Sequence, residues 1–419
     1  MRRALMPSLV AAALAAGCAS VEPDQALAGL DTWSARQGVA APRLAADAGE
    51  VARRAARTEA LLDAPLTEAA AVELAVDASP ALQAMLADAW AQQARDAVAA
   101  AWPSPVFGFE RMAGHDSVAL TRMLSVGLAE LLALPARREA ARLQGQARRL
   151  ALASEVTATI VAVRQQWVRA VAAAEAVPVL EHALETAQAG AELARRMQAV
   201  GNFSRTQRAR EQLALHEAAA ALARAKLAAA TEREALVRRL GLDDTQSVRL
   251  RLPDRLPTAP DAPRAVGDVL RDAQQQRLDL QLAEQAWQAA RRAETPAVAA
   301  AFDAEIAAIR ERAGDERERG FELALRLPLD APARTQAASA TTLAAWQRWR
   351  QAQVDAASTL RASHAAYVAT HEVLRQQREH VLPLRRTIAD EAVLRYNGML
   401  IGVFELLAEA RAQAAAVQA

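Results

Sequence analysis

The sequence has a single cysteine, Cys18, so neither an internal disulfide framework nor a cysteine-based metal site is open to it. Aromatic residues make up only 4% of 419 residues, which excludes a core built on bulky rings. Lys226 is the only lysine, and the remaining positive charge is arginine. Fifty basic residues against 49 acidic ones leave a net charge of +1, with no overall nucleic-acid footprint. Beyond the N-terminus, no apolar run approaches the ~20 residues of a transmembrane helix. There is no Gly-rich phosphate loop, nucleophile elbow or HExxH motif. The histidines (His115, His182, His216, His364, His371 and His380) are scattered. No catalytic residue, metal site or cofactor is therefore expected. What the chain has in abundance is Ala, Leu, Arg, Glu and Gln, the residues of long helices and coiled coils.

Arg2 and Arg3 precede an apolar stretch, Leu5 to Leu14, followed by Ala15-Ala16-Gly17-Cys18. A charged start, a short apolar core and small residues form a secretory signal peptide over residues 1–17. The cysteine directly after small residues resembles a bacterial lipobox, with Leu14 one place early. The resemblance implies cleavage before Cys18, acylation of that residue, and sorting to the outer membrane because Ala19 rather than Asp follows. Residues 18–66 read as an extended N-terminal segment.

The remainder reads as one unit repeated. Val200-Gly201-Asn202-Phe203-Ser204 and Met399-Leu400-Ile401-Gly402-Val403-Phe404 each follow a long helical pattern and open another. Ser204 and Gly402 are 198 positions apart, and the same offset carries Gln207 to Glu405 and Glu211 to Glu409. The order of element types supports the repeat more than matched letters do.

In the first repeat, 67–241, residues 67–101 predict a helix with Thr67 as N-cap, stopped at Trp102-Pro103-Ser104-Pro105. A β-hairpin is expected at about 104–130, with a polar turn at Gly114-His115-Asp116. Leu120, Leu124, Val126 and Leu128 recur on alternate positions, a strand with one apolar face. A helix from about 137 to 200 would be roughly 95 Å long at 1.5 Å per residue. Gly201 ends it, and Ser204-x-x-Gln207 is a capping box that starts the return helix to about 240. Residues 242–263, rich in proline, read as a linker. The second repeat, 264–419, predicts a helix to about Pro296 and a strand over 297–309. A solvated charged turn follows over Arg310 to Arg319, then a strand whose apolar positions are Phe321, Leu323, Leu325 and Leu327. Helices of about 334–396 and from Val403 onward complete it, with Gly398 as a further candidate C-cap.

Strands of about ten residues match a tilted transmembrane β-strand. Four cannot close a barrel, and open edges are not tolerated in lipid, so several protomers would have to share one barrel. Leu124, Val126, Leu128, Phe321, Leu323, Leu325 and Leu327 are the expected lipid-facing residues. The fold class is therefore mainly α with a small β part: long antiparallel helical hairpins plus two β-hairpins.

Arg395-Tyr396-Asn397-Gly398-Met399-Leu400-Ile401-Gly402-Val403-Phe404-Glu405, running on to Arg411, and Val200 to Ser204 resemble the two tip motifs of the TolC-like outer-membrane efflux proteins. Pro80 and Pro328-Leu329 also match, and the resemblance spans roughly residues 60–419. It implies a homotrimer with a twelve-stranded barrel in outer-membrane lipid, a helical α-barrel in the periplasm, a periplasmic adaptor protein, an inner-membrane pump and a passive role in efflux. Val200, Gly201, Asn202, Phe203, Ser204, Gly398, Met399, Leu400, Ile401 and Gly402 would then form the adaptor contact and gate. At the 198 offset, the last helix is shorter than its counterpart. The residues leave open two other readings: a structural coiled-coil lipoprotein, which has no use for the strands, and a type I secretion exit duct, which uses the same machine with other partners.

Overall fold

The computed structural model describes residues 22–418, except 24–26, 28, 114–117, 264, 266, 268, 270, 272–276, 300–302, 314–315 and 327–328. The expected signal peptide, Cys18, the expected turn at Gly114-His115-Asp116, and Leu327 lie outside the described residues. In chain order the elements are α1 (Leu30–Gln37), α2 (Ala48–Leu61), α3 (Glu68–Ala78), α4 (Pro80–Ala99), β1 (Val106–Ala113), β2 (Val118–Gly127), α5 (Leu128–Ala199), α6 (Arg205–Leu240) and α7 (Asp244–Arg249). Then follow α8 (Leu278–Ala299), β3 (Asp303–Ala313), β4 (Glu316–Arg326), α9 (Ala331–Gln376), a π-helical turn (Gln377–Val381), α10 (Leu382–Asn397) and α11 (Val403–Gln418). They fall into two compact units, one of residues 1–37, 84–155 and 276–358, the other of 38–83, 156–275 and 359–419.

The first unit carries one antiparallel sheet in the order β1-β2-β3-β4, so the two hairpins are joined through β2 and β3. The registers run without a bulge, with Phe109 opposite Arg122, Arg122 opposite Arg310, and Arg310 opposite Arg319. Trp287 of α8 stacks on Trp349 of α9, with ring centroids 5.2 Å apart.

The second unit is helical and holds most of the buried leucines. Leu62, Leu66, Leu74, Leu82, Leu236 and Leu240 are fully enclosed. Among them, Trp167 donates its indole N–H to the Leu66 carbonyl at 2.7 Å, so its one polar atom is satisfied inside the core. Gly241 closes α6 in the left-handed region at φ +73, its N–H on the Val237 carbonyl at 2.9 Å. A Cβ at this position would collide with Pro80 Cδ, so both the conformation and the close approach demand glycine.

Several expectations need correcting. The 18–66 segment is not extended: it holds α1 and α2. Asp47 caps α2 through the Glu50 N–H at 2.8 Å. Arg54, only 6% exposed, donates to the Asp77 and Arg43 carbonyls at 2.8 and 3.1 Å, so its charge is fixed against α3 rather than left in water. The expected helix over 67–101 is two, broken at Ser79 (φ −61, ψ 120), because the residue before a proline is pushed to extended backbone. Thr67 does cap α3, its hydroxyl accepting from the Ala70 N–H at 3.2 Å.

Leu128 is the first residue of α5, not a strand residue. From it onward apolar residues recur as Leu128, Leu131, Leu132, a helical spacing that overrides the alternation inherited from β2. Pro135 is inside that helix, which begins ahead of the expected start at about 137. Pro296 does not end α8, which continues to Ala299. It forfeits one hydrogen bond in the last turn, and β3 begins only at Asp303. The charged run 310–319 is mostly strand rather than turn: β3 extends through Ala313, and β4 starts at Glu316. Its charges alternate in sign with period two, which is a strand pattern written in charge. The 242–263 stretch, expected as a linker, is partly structured. It contains α7, and the Leu66 N–H donates to the Arg251 carbonyl at 2.7 Å.

Candidate membrane face and hairpin tips

Directly opposed residues in an antiparallel sheet share a face, and successive residues alternate. The registers therefore assign Phe107, Phe109, Leu120, Leu124, Val126, Ile306, Ala308, Phe321, Leu323 and Leu325 to one face. Most of these large side chains are open to solvent in the single chain, Phe321 at 83%. A contiguous apolar surface of this kind marks a membrane or protein contact. The charged residues of this face are Arg111, Arg122, Arg310, Arg312, Arg317 and Arg319, all towards the hairpin-turn end.

The opposite face is acidic. Glu110, Glu305, Glu311, Glu316, Glu318 and Glu322 lie on it, separated by small or apolar residues such as Gly108, Thr121, Ser125 and Ala307. Ser125 and Ala307, which face each other, are 2% and 5% exposed. Among the described side chains, no acid lies on the apolar face and no base on the acidic face. Among the described residues, β1 and β4 each keep one edge unpaired.

In the second unit, the two helical hairpins turn by the same device. At the first turn, the Asn202 N–H donates to the Met197 carbonyl at 2.9 Å and the Gly201 N–H to the Gln198 carbonyl at 3.0 Å. At the second, the Leu400 N–H donates to the Arg395 carbonyl at 2.8 Å and the Met399 N–H to the Tyr396 carbonyl at 2.9 Å. Both are Schellman motifs, whose central residue must be left-handed. Gly201 fills that position at φ +80 and Met399 at φ 59, and they are 198 positions apart. Gly398 is therefore not the left-handed cap: it precedes the turn at φ −78. The left-handed position costs a non-glycine residue about 1–2 kcal/mol, yet Met399 is 93% exposed and gains no burial in return within the chain.

Past the turns, Ser204 caps α6 with the full capping box: the Ser204 hydroxyl accepts from the Gln207 N–H at 3.1 Å and the Ser204 N–H donates to Gln207 Oε1 at 2.8 Å. Gly402 takes the equivalent place before α11, its carbonyl accepting from Glu405 and Leu406. Phe203 stacks on Phe404 at 4.6 Å, so the two turns lie side by side. Arg411 pairs with Glu211 at 3.4 Å. Just behind the first turn, Glu192 accepts from Arg195 and Arg196 at 2.7–2.8 Å, which pulls its carboxyl down to about 2. A carboxyl depressed in the fold adds stability that is lost only as pH falls through that value. The Glu192 carboxylate therefore stays ionised throughout pH 5–8. No helix among the described residues is long and apolar enough to cross a membrane.

No protein-family model and no curated protein matches the sequence. Solved structures do. The CmeC outer membrane channel of Campylobacter jejuni superposes with a TM-score of 0.63 at 15% identity, over 83% of this chain and 80% of that one. The MtrE outer membrane channel of Neisseria gonorrhoeae, in its open state, gives 0.59 at 16%, over 83% of each chain. The outer membrane protein VceC of Vibrio cholerae gives 0.58 at 16%, over 86% of this chain and 94% of that one. The chain has the TolC-like channel fold.

Within that TolC-like fold, Leu124, Val126, Phe321, Leu323 and Leu325 share the apolar face, while Leu128 is helical and Leu327 lies outside the described residues. Val200, Gly201, Asn202, Phe203 and Ser204 and the set Gly398, Met399, Leu400, Ile401 and Gly402 form two adjacent turns. Val200, Met399 and Leu400 are strongly exposed. The arginines of the apolar face were missed by sequence reasoning, and the period-two alternation of charge sign was the signal that could have found them.

Proposed function

We propose that this chain is one subunit of a homotrimeric outer-membrane exit duct of a tripartite efflux system. It carries no chemistry of its own and works with a periplasmic adaptor protein and an inner-membrane pump. The observation that carries the reading is the sheet: one face apolar, the other acidic, and two edges left unpaired. Sheet edges cannot stand open in lipid, so strands from neighbouring copies must cover them. Three copies of four strands give a twelve-stranded barrel, with the apolar face towards lipid and the acidic face lining the lumen. The exposed turns at Val200–Ser204 and Gly398–Gly402 are the adaptor contact and gate, and acylated Cys18 anchors the chain to the outer membrane, with the helices in the periplasm. A coiled-coil strut would have no use for such a sheet.

Purified protein in planar bilayers tests this. Discrete conductance steps with a preference for cations are expected, because six described carboxylates per subunit line the lumen. Cys18→Ala should abolish incorporation of labelled palmitate and leave those steps unchanged. Protein that inserts without conducting, or does not insert, would overturn the reading.

A further inference from the structure

Among the described side chains, the apolar face carries charge of only one sign, and that charge is gathered at one end. Arg122, Arg310 and Arg319 sit directly opposite one another in three adjacent strands. Adjacent strands are about 4.8 Å apart. Two residues nearer the turns, Arg312 is opposite Arg317. Like charges directly opposed in a sheet repel. By register, Glu311 and Glu318 belong to the opposite face. Two residues in the other direction, about 7 Å along the strands, Leu124, Ala308 and Phe321 begin the apolar band.

From this juxtaposition we infer that the Arg122–Arg310–Arg319 row, backed by Arg317, is a binding site for the phosphorylated headgroup of a membrane glycolipid whose acyl chains lie on Phe107, Leu124, Phe321 and Leu323. Guanidinium offers a planar fork that matches phosphate with two hydrogen bonds at once, and one phosphate can bridge two opposed arginines and turn their repulsion into attraction. A free anion would need only the arginines, and a protein partner would not need an uninterrupted apolar band beside them. A lipid needs both, on one face and in this order. The strands join the helices at their other ends, so the arginine end is the far end of the hairpins, in the leaflet away from the periplasm. The inference rests on the proposed outer-membrane channel reading.

The test uses the full-length purified channel, delipidated and offered four probes: bis-phosphorylated lipid A, its dephosphorylated counterpart, phosphatidylcholine and inorganic phosphate. Lipid retained is read by native mass spectrometry, and conductance is recorded in parallel. Wild-type protein should retain bis-phosphorylated lipid A at least ten-fold better than the dephosphorylated form, and millimolar phosphate should not displace it. Arg310→Gln/Arg317→Gln/Arg319→Gln should lose that preference and keep wild-type conductance steps. If the triple variant fails to assemble, Arg319→Gln alone, on the edge strand, should lower retention at least three-fold. Removing carboxylates from the other face with Glu311→Gln/Glu318→Gln should leave retention unchanged. Equal retention by wild-type and arginine variants, or displacement by free phosphate, overturns the site while the conductance leaves the channel reading standing. Absence of conductance in the wild-type protein overturns the channel reading, and this inference with it.

Discussion

Leu323→Arg is expected to abolish assembly in the outer membrane. Leu323 is in the middle of the apolar band on β4, opposite Ile306 and more than half exposed in the single chain. An arginine on the lipid face of a barrel near the bilayer midplane costs about 2–4 kcal/mol, and in the proposed ring of three subunits the cost is incurred three times. Heat-resistant oligomer in the outer-membrane fraction, read by semi-native electrophoresis, should fall more than ten-fold. The paired control is Ala324→Arg, one residue along and on the acidic face. There the new charge meets water and carboxylates, and oligomer should form at the wild-type level. Equal damage from both variants would point to general disruption of β4, and no damage from Leu323→Arg would mean the face does not meet lipid.

Gly402→Glu should remove export without touching assembly. Gly402 is not among the described glycines with positive φ, and a Cβ there meets nothing within 4 Å. Nothing inside the chain requires glycine at this position, so a loss of activity would report on what approaches from outside. Cells depending on this duct should become at least ten-fold more sensitive to the exported compound, while the oligomer stays at the wild-type level. Unchanged sensitivity would count against the turns as the adaptor contact. Gly201 offers no such clean test, because its φ of +80 makes any substitution a fold variant as well.

Local physics explains what the sequence made legible. Thr67, the Ser204–Gln207 box and Gly201 each announce a helix end by chemistry confined to a few residues, and each acts there. The 198-residue offset placed Ser204 on Gly402, and the structure puts Gly201 and Met399 at the same point of the same turn. Nothing in a methionine announces a left-handed backbone, so Met399 could be found only through that offset. Pro296 is expected to end a helix and does not, and Pro135 lies inside α5. A single lost hydrogen bond is outweighed when the helix on either side is rich in alanine and arginine. Arg310 to Arg319 was read as a turn because charge was equated with solvent. Near the hairpin turns both faces are charged, and the sign of the charge then carries the alternation that hydrophobicity carries elsewhere. The helices of the N-terminal segment depend on partners distant in sequence, such as Arg54 on Asp77. No local pattern announces those contacts.

The central claim is that odd and even positions of β4 face different solvents. Cysteines introduced singly by Phe321→Cys, Leu323→Cys, Leu325→Cys, Glu322→Cys and Ala324→Cys, each labelled with an environment-sensitive fluorophore in reconstituted vesicles, measure this directly. The account predicts that positions 321, 323 and 325 are quenched by a lipid-borne quencher and shielded from aqueous iodide, with the reverse at 322 and 324. Equal access of iodide to all five positions would contradict it.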